Sequence, residues 1–202
     1  MKWMVVFLCS LGWVNAQDAI EEKAAPEVVA AAVQAVSDLG REVVQGRYQV
    51  ATERMFPQWK ERAAVRLGGM EKLDAQLAAV ADQMLKQGIS ITSFVPQGEP
   101  RAFEVIPGKK VSVVGGKEVE QLIYTKWLVL VPTVTTFRAF LPNDPKPVNI
   151  ESTSFQIAIS DKGKNHWTFI DGSGVSVNDL RSLFINLPQT LELPPLEKRQ
   201  LK

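Results

Sequence analysis

Hydrophobic positions recur with a helical period over residues 26–88. The apolar side chains that share the face of the first predicted helix are Val29, Val33, Val36 and Val43. A short helix is predicted over 47–55, and Pro57 interrupts it. A third helix is predicted over 70–87, with Gly88 after it as a C-cap residue. The first half of the chain is therefore predicted to be helical.

From residue 89 to residue 171 the pattern changes to the alternation of strands. The predicted strands cover 89–94, 110–114, 119–137, 150–160 and 166–170, followed by a short helix over 176–184. A glycine pair at 115–116 predicts a hairpin turn, and Pro132 predicts a bulge or a bend in the long strand. Ser176 is the expected N-cap of the last helix, with Asp179 completing its capping box.

Helices followed by an antiparallel meander predict an α+β fold, with the N-terminal helices packed on a curved sheet. Residues 26–196 are predicted to form this single domain, after a flexible lead-in at 17–25 and before a polar tail at 197–202 that we expect to fray. The long strand is apolar on both faces over 122–131, so its second face must also be covered. The candidates are the segment 187–196 or a second copy of the chain.

Three short motifs accompany this order of elements. They are Gly46-Arg47-Tyr48 at the second helix, Gly88-Ile89-Ser90-Ile91 at the start of the sheet, and His166-Trp167-Thr168-Phe169-Ile170-Asp171-Gly172 at its end. The arrangement resembles the nuclear-transport-factor-2-like superfamily of cystatin-like α+β rolls, especially its secreted bacterial members of unassigned function. The resemblance implies a cone-shaped roll, a pocket between sheet and helices, and a homodimer through the outer sheet face. It implies no single activity, because the superfamily includes isomerases, dehydratases, hydrolases, transport factors and binding domains.

Residues 1–16 have the pattern of a signal peptide. Lys2 is followed by an apolar run over 3–14, which is shorter than the ~20 residues that a membrane-spanning helix needs. Cleavage is expected between Ala16 and Gln17. This predicts a secreted or periplasmic protein without a membrane anchor.

The composition of the chain excludes several kinds of chemistry. The chain has 23 basic and 22 acidic residues, one His and one Cys. Removal of the signal peptide discards Lys2 and Cys9, which leaves a neutral chain without cysteine. Thiolate chemistry and Cys/His metal sites are then excluded, and no net charge attracts nucleic acid. We predict no metal, no cofactor and no nucleic-acid partner.

The acid/base candidates are Glu104 and Lys126. Lys126 lies in mid-strand among apolar neighbours, where it is either a buried catalytic lysine or one whose ammonium group reaches the sheet edge. His166 is expected to face solvent beside a turn. It does not form a dyad with Asp171, because residues five apart on a strand lie on opposite faces.

Aromatic side chains are the stronger functional candidates. Tyr48, Trp59, Tyr124 and Trp127 are predicted either to line a pocket for a small apolar or planar ligand or to fill the core. The sequence thus predicts a secreted or periplasmic, non-catalytic binding or interaction domain. Two alternatives stay open: a cofactor-independent isomerase, dehydratase or hydrolase that uses a pocket carboxylate, and a structural accessory protein of the cell envelope.

Overall fold

The computed structural model of the chain describes residues 24–114, 117–140 and 146–201. The predicted signal peptide and its cleavage site between Ala16 and Gln17 lie outside the described residues, as does the glycine pair at 115–116.

Four helices precede the sheet. They are α1 (Pro26–Val44), α2 (Gln49–Glu53), α3 (Pro57–Leu67) and α4 (Met70–Lys86). The first predicted helix and those predicted over 47–55 and 70–87 are confirmed as α1, α2 and α4. The sequence analysis missed α3 as a separate helix. Pro57 begins α3, because a proline at the first helical position has a suitable φ and gives up no hydrogen bond there.

The sheet is antiparallel throughout, and β3 is its central strand. The strands are β1 (Ser90–Pro96), β2 (Arg101–Val114), β3 (Lys117–Phe140), β4 (Pro147–Asp161), β5 (Thr168–Asp171) and β6 (Glu197–Leu201). β3 pairs with β4 along one edge and with both β1 and β2 along the other. The outer edge of β4 pairs with β5 and β6. Helices before an antiparallel sheet confirm the predicted α+β class.

Both faces of the sheet are covered by the chain itself. On one face, α1 packs through Val36 and Leu39 against Val129 and Val131 of β3 and Ala158 of β4. On the other face, the helix α5 (Val177–Leu183) and the segment after it cover a second core. The C-terminal residues of this second core are Leu180, Phe184, Leu187 and Leu191, and the sheet contributes Phe103, Leu128, Leu130, Phe155 and Ile157. Leu128 and Leu130 on the second face of β3 therefore need no second copy to bury them, and the homodimer stays a prediction.

The C-terminal segment is held by its own polar contacts. Ser176 caps α5 as predicted: its Oγ accepts a hydrogen bond from the Asp179 N–H at 3.1 Å, and the Ser176 N–H donates to the Asp179 carboxylate at 3.1 Å. Arg181 donates to the Pro188 carbonyl at 3.0 Å, and Asn186 Nδ2 donates to the Glu104 carbonyl at 2.7 Å. These bonds fix the path of the chain over the second face.

Of the bulge or bend predicted at Pro132, the bulge is contradicted by the strand register. Pro132 lies opposite Phe155, and the β3–β4 register continues through it without a shift. Its carbonyl accepts from the Gln97 N–H at 2.9 Å, on the edge where the chain passes from β1 to β2. Since the N–H and C=O of one strand residue point to the same side, the donor that proline lacks faces this connection. The proline therefore leaves the β3–β4 ladder intact.

The C-terminal end was expected to fray, but the structure shows a strand there. Residues Glu197–Leu201 form β6, which pairs with β4 over 149–153. Arg199 Nε donates to Glu151 Oε1 at 2.7 Å. The backbone of the polar tail pairs with an edge of β4 that would otherwise be unpaired. This pairing requires no apolar side chains.

The hairpin of β2 and β3 extends beyond the rest of the sheet. β4 begins to pair with β3 only at Lys126, so residues 107–114 and 117–125 form a two-stranded ribbon, here termed the arm. Ile106 at its base has a φ of 61°, which is unusual for a β-branched residue. Thr125 Oγ1 donates to the Ile106 carbonyl at 2.9 Å and thereby holds this bend.

Candidate functional site

An open cleft of about 280 Å³ lies between α1 and the connection from β4 to β5. The α1 wall consists of Ala31, Gln34, Ala35 and Asp38. These residues follow the spacing i, i+3, i+4 and i+7, so they lie along one face of the helix. Gly40 allows α1 to lie close to β1, since a Cβ there would be 2.8 Å from the Phe94 carbonyl oxygen. This close approach helps to fix the position of the helical wall.

The opposite wall brings together two distant parts of the chain, Arg54 after α2 and the residues 165–167 before β5. The backbone explains why they meet. The Phe169 N–H donates to the Arg54 carbonyl at 2.8 Å, and the Phe56 N–H donates to the Phe169 carbonyl at 2.8 Å. The segment after α2 therefore runs alongside β5, so that Arg54 and residues 165–167 line the same cleft.

The polar groups of the cleft are only partly engaged by the protein. Asp38 Oδ1 accepts hydrogen bonds from Gln34 Nε2 at 2.9 Å and from Arg41. Trp167 Nε1 donates to Asn165 Oδ1 at 2.8 Å, which leaves the Asn165 amide nitrogen as a donor. The Asp38 carboxylate is thus offset by Arg41, while donors remain available on the opposite wall.

Arg54 is the charged group of the cleft without an internal partner. Within the described ranges, its guanidinium group forms neither a hydrogen bond nor an ion pair. Its charge acts only at longer range: the hydrogen bond from Arg47 lowers the pKa of Glu42, and the charges of Arg47, Arg54 and Arg41 lower it further. An exposed arginine in a cleft is suited to bind an anionic group.

The four predicted pocket aromatics do not line this cleft. Tyr48 and Trp127 pack at the edge of the core under α1, and Trp59 packs against the core under the C-terminal segment. Tyr124 lies in the arm, opposite Pro107 of β2. The structure therefore distributes these residues over three places. The aromatic residue that does line the cleft is Trp167, which is mostly buried.

Glu104 is held in an ion pair on the α1 side of the sheet. Its carboxylate pairs with Lys162, and Glu104 lies directly opposite Trp127 in the β2–β3 ladder. The Lys162 ammonium group lies 4.6 Å from the centroid of the Trp127 ring, within the range of a cation–π interaction. This carboxylate is therefore engaged by a lysine and lies outside the residues that line the cleft.

Lys126 lies one residue further along β3 and so belongs to the opposite face of the sheet. Its ammonium group pairs with the carboxylate of Asp161, its cross-strand neighbour. Lys164 donates to the same carboxylate at 3.0 Å. The hydrogen bonds from Lys126 and Lys164 lower the pKa of Asp161. Glu104 and Lys126 are thus not brought together as an acid/base pair, and His166 is exposed as predicted.

No group of three or more His, Cys, Asp or Glu side chains in the described part of the chain is arranged to hold a metal ion. Among the described helices, none combines the length and apolarity that a membrane span requires.

Comparison with known proteins gives no match: no family model fits the sequence, and no curated protein or solved structure is significantly similar to the chain. The resemblance to the nuclear-transport-factor-2-like superfamily therefore stays a prediction, whereas the α+β class rests on the structure.

Proposed function

We propose that the chain is a secreted or periplasmic, non-catalytic binding domain whose ligand site is the cleft between α1 and the β4–β5 connection. The observation that carries the proposal is the cleft itself. Three parts of the chain that are distant in sequence converge there, and one of them presents Arg54 without an internal partner. The signal-peptide pattern of residues 1–16 supports the proposed location.

The engagement of the acidic groups favours binding over catalysis. Asp38 is the one carboxylate among the residues described as lining the cleft, and it accepts hydrogen bonds from Gln34 and Arg41. A general base must be free to take a proton from the substrate. Glu104, the other acid that the sequence pointed to, is paired with Lys162.

A thermal-shift screen of small metabolites tests this proposal. A ligand that binds the folded state raises the melting temperature by mass action. We expect hits whose stabilisation disappears in a Gln34→Trp variant, because an indole at this exposed position on α1 fills the cleft without disturbing the core. Arg138→Gln, which changes an exposed arginine on β3, is the matched control. Equal stabilisation of all three proteins, or a screen without hits, contradicts the proposal.

A second candidate function, a structural accessory role as a homodimer, is favoured by the arm. Val111, Val113 and Leu122 of the arm are 56%, 70% and 66% exposed. They share one face of the ribbon, which continues the sheet face that the C-terminal segment covers further along. Clustered exposed apolar side chains are typical of interaction surfaces. A second copy packed on the arm would bury them.

A further inference from the structure

We infer that the cleft binds a small organic carboxylate with a flat apolar body; this rests on the proposal that the cleft is the ligand site. The inference follows from the groups that remain unengaged on its walls, from their charge, and from the size of the cleft.

The donors lie on one wall. Arg54 offers a planar guanidinium group whose two parallel N–H donors match the two oxygens of a carboxylate. The Asn165 side chain adds an amide donor, because its oxygen is already used by Trp167 Nε1. Arg54 and Asn165 line the cleft together. Donors without internal acceptors favour a ligand that carries oxygen acceptors and negative charge.

The apolar part of the lining accounts for the rest of the ligand. Ala31 and Ala35 present only methyl groups, and Trp167 contributes part of a mostly buried side chain. The volume of about 280 Å³ lies at the lower limit of the ~300–1,000 Å³ typical of sites for drug-sized ligands. A single flat ring fits this size, and the small alanine side chains leave room for its face.

Charge distinguishes a carboxylate from a phosphate. Asp38 lies on the α1 wall of the same cleft, and Arg41 already offsets its charge. The cleft therefore offers the single positive charge of Arg54 to a ligand, which one carboxylate neutralises. A phosphoryl group carries about −1.5 to −2 charges at neutral pH. Its excess charge would lie near Asp38, and the residues described as lining the cleft hold no second permanently charged cation.

The test is isothermal titration calorimetry of the purified protein with three probes: benzoate, its neutral analogue benzamide, and inorganic phosphate. We expect benzoate to bind at least about 10-fold more tightly than benzamide or phosphate, because a hydrogen-bonded ion pair replaces a neutral contact. Arg54→Gln should weaken benzoate binding about 10-fold or more and remove its advantage over benzamide. Arg138→Gln should leave all three affinities unchanged.

The outcomes separate the two proposals. If benzamide or phosphate binds as tightly as benzoate, or Arg54→Gln leaves benzoate binding unchanged, the carboxylate inference is wrong. The proposed function still stands in that case, provided that Gln34→Trp abolishes the binding that is observed. If no probe binds, the carboxylate inference is wrong, and the proposed function is decided by the thermal-shift screen. If Gln34→Trp binds benzoate like the unaltered protein, both proposals fail. Circular dichroism of each variant establishes that a lost signal reflects the cleft rather than misfolding.

Discussion

Lys126 lies directly opposite Asp161 in the β3–β4 ladder, and the two side chains form an ion pair. This pair stands where the ladder ends and the arm begins. It explains how a lysine is accommodated in the middle of an apolar strand: the side chain is 28% exposed and meets a carboxylate at the margin of the sheet. The structure shows Lys126 in an ion pair with Asp161, and its catalytic role stays untested.

Replacement of Lys126 by glutamine should therefore have a small effect. Both partners are partly exposed, so we expect a loss of about 0–1 kcal/mol in the free energy of unfolding. Urea denaturation measures this loss, and Lys109→Gln, which breaks the exposed pair with Glu120, is a matched control. A loss of several kcal/mol, or a changed affinity for a cleft ligand, would contradict the structural role.

The capping box of α5 should make stability depend on acid pH. Hydrogen bonds from Ser176 and Arg66 lower the pKa of Asp179 to about 2. Because this folded-state pKa lies below the unfolded value, the contribution is complete above about pH 4 and is lost as the pH falls towards 2. Solvent screens this surface group, so we expect Asp179→Asn to cost about 1 kcal/mol at pH 7.

Denaturant titrations at pH 7 and pH 2.5 measure this effect. The difference between Asp179→Asn and the unaltered protein should shrink at the lower pH. Asp82→Asn, at an exposed position on α4, should show no difference at either pH. A cost for Asp179→Asn that is equal at both pH values would contradict the assigned cause.

The C-terminal segment should contribute substantially to stability, because it supplies four buried side chains of the second core. Leu191 is 4% exposed in that core, whereas Leu196 is 52% exposed. We expect Leu191→Ala to cost about 2–5 kcal/mol, which is typical for a buried leucine, and Leu196→Ala to cost less than about 0.5 kcal/mol. Chemical denaturation of both variants gives the comparison. Similar costs at the two positions would mean that the segment does not pack as described.

The arm allows a direct test of the homodimer. Sedimentation velocity of the full chain over a range of concentrations should show a reversible dimer, since the exposed valines of the arm would be buried by a second copy. Val113→Lys should abolish the dimer without a change in circular dichroism, because the side chain is 70% exposed. Lys110→Gln, also exposed on the arm, is the control. A concentration-independent monomer excludes the accessory role through the arm.

Local patterns in the sequence predicted much of the fold. The apolar face of α1 and the capping box at Ser176 depend on neighbouring residues, and each matches its element in the structure. The sequence did not predict β6, because this polar segment pairs through its backbone and shows no alternation of apolar and polar residues.

Such local patterns could not predict the cleft. Arg54 reaches it only because the backbone after α2 pairs with Phe169, more than a hundred residues later. Gln34 and Asp38 lie among the polar positions of an amphipathic helix, where nothing marks them as different from solvated residues. The aromatic residues were predicted to line a pocket because of their residue type. The topology places them at the margins of the core and in the arm.

The central claim is that ligand binds in the cleft, and the indole N–H signals of the protein test it most directly. Beyond the predicted signal peptide the chain has three tryptophans, Trp59, Trp127 and Trp167, of which only Trp167 lines the cleft. In ¹H–¹⁵N spectra recorded during a benzoate titration, we expect the Trp167 indole signal and the backbone amides of 31–38 to shift in a saturable manner. The other two indole signals should stay nearly constant. Shifts confined to Trp59 or Trp127, or no saturable shift at Trp167, would contradict the account.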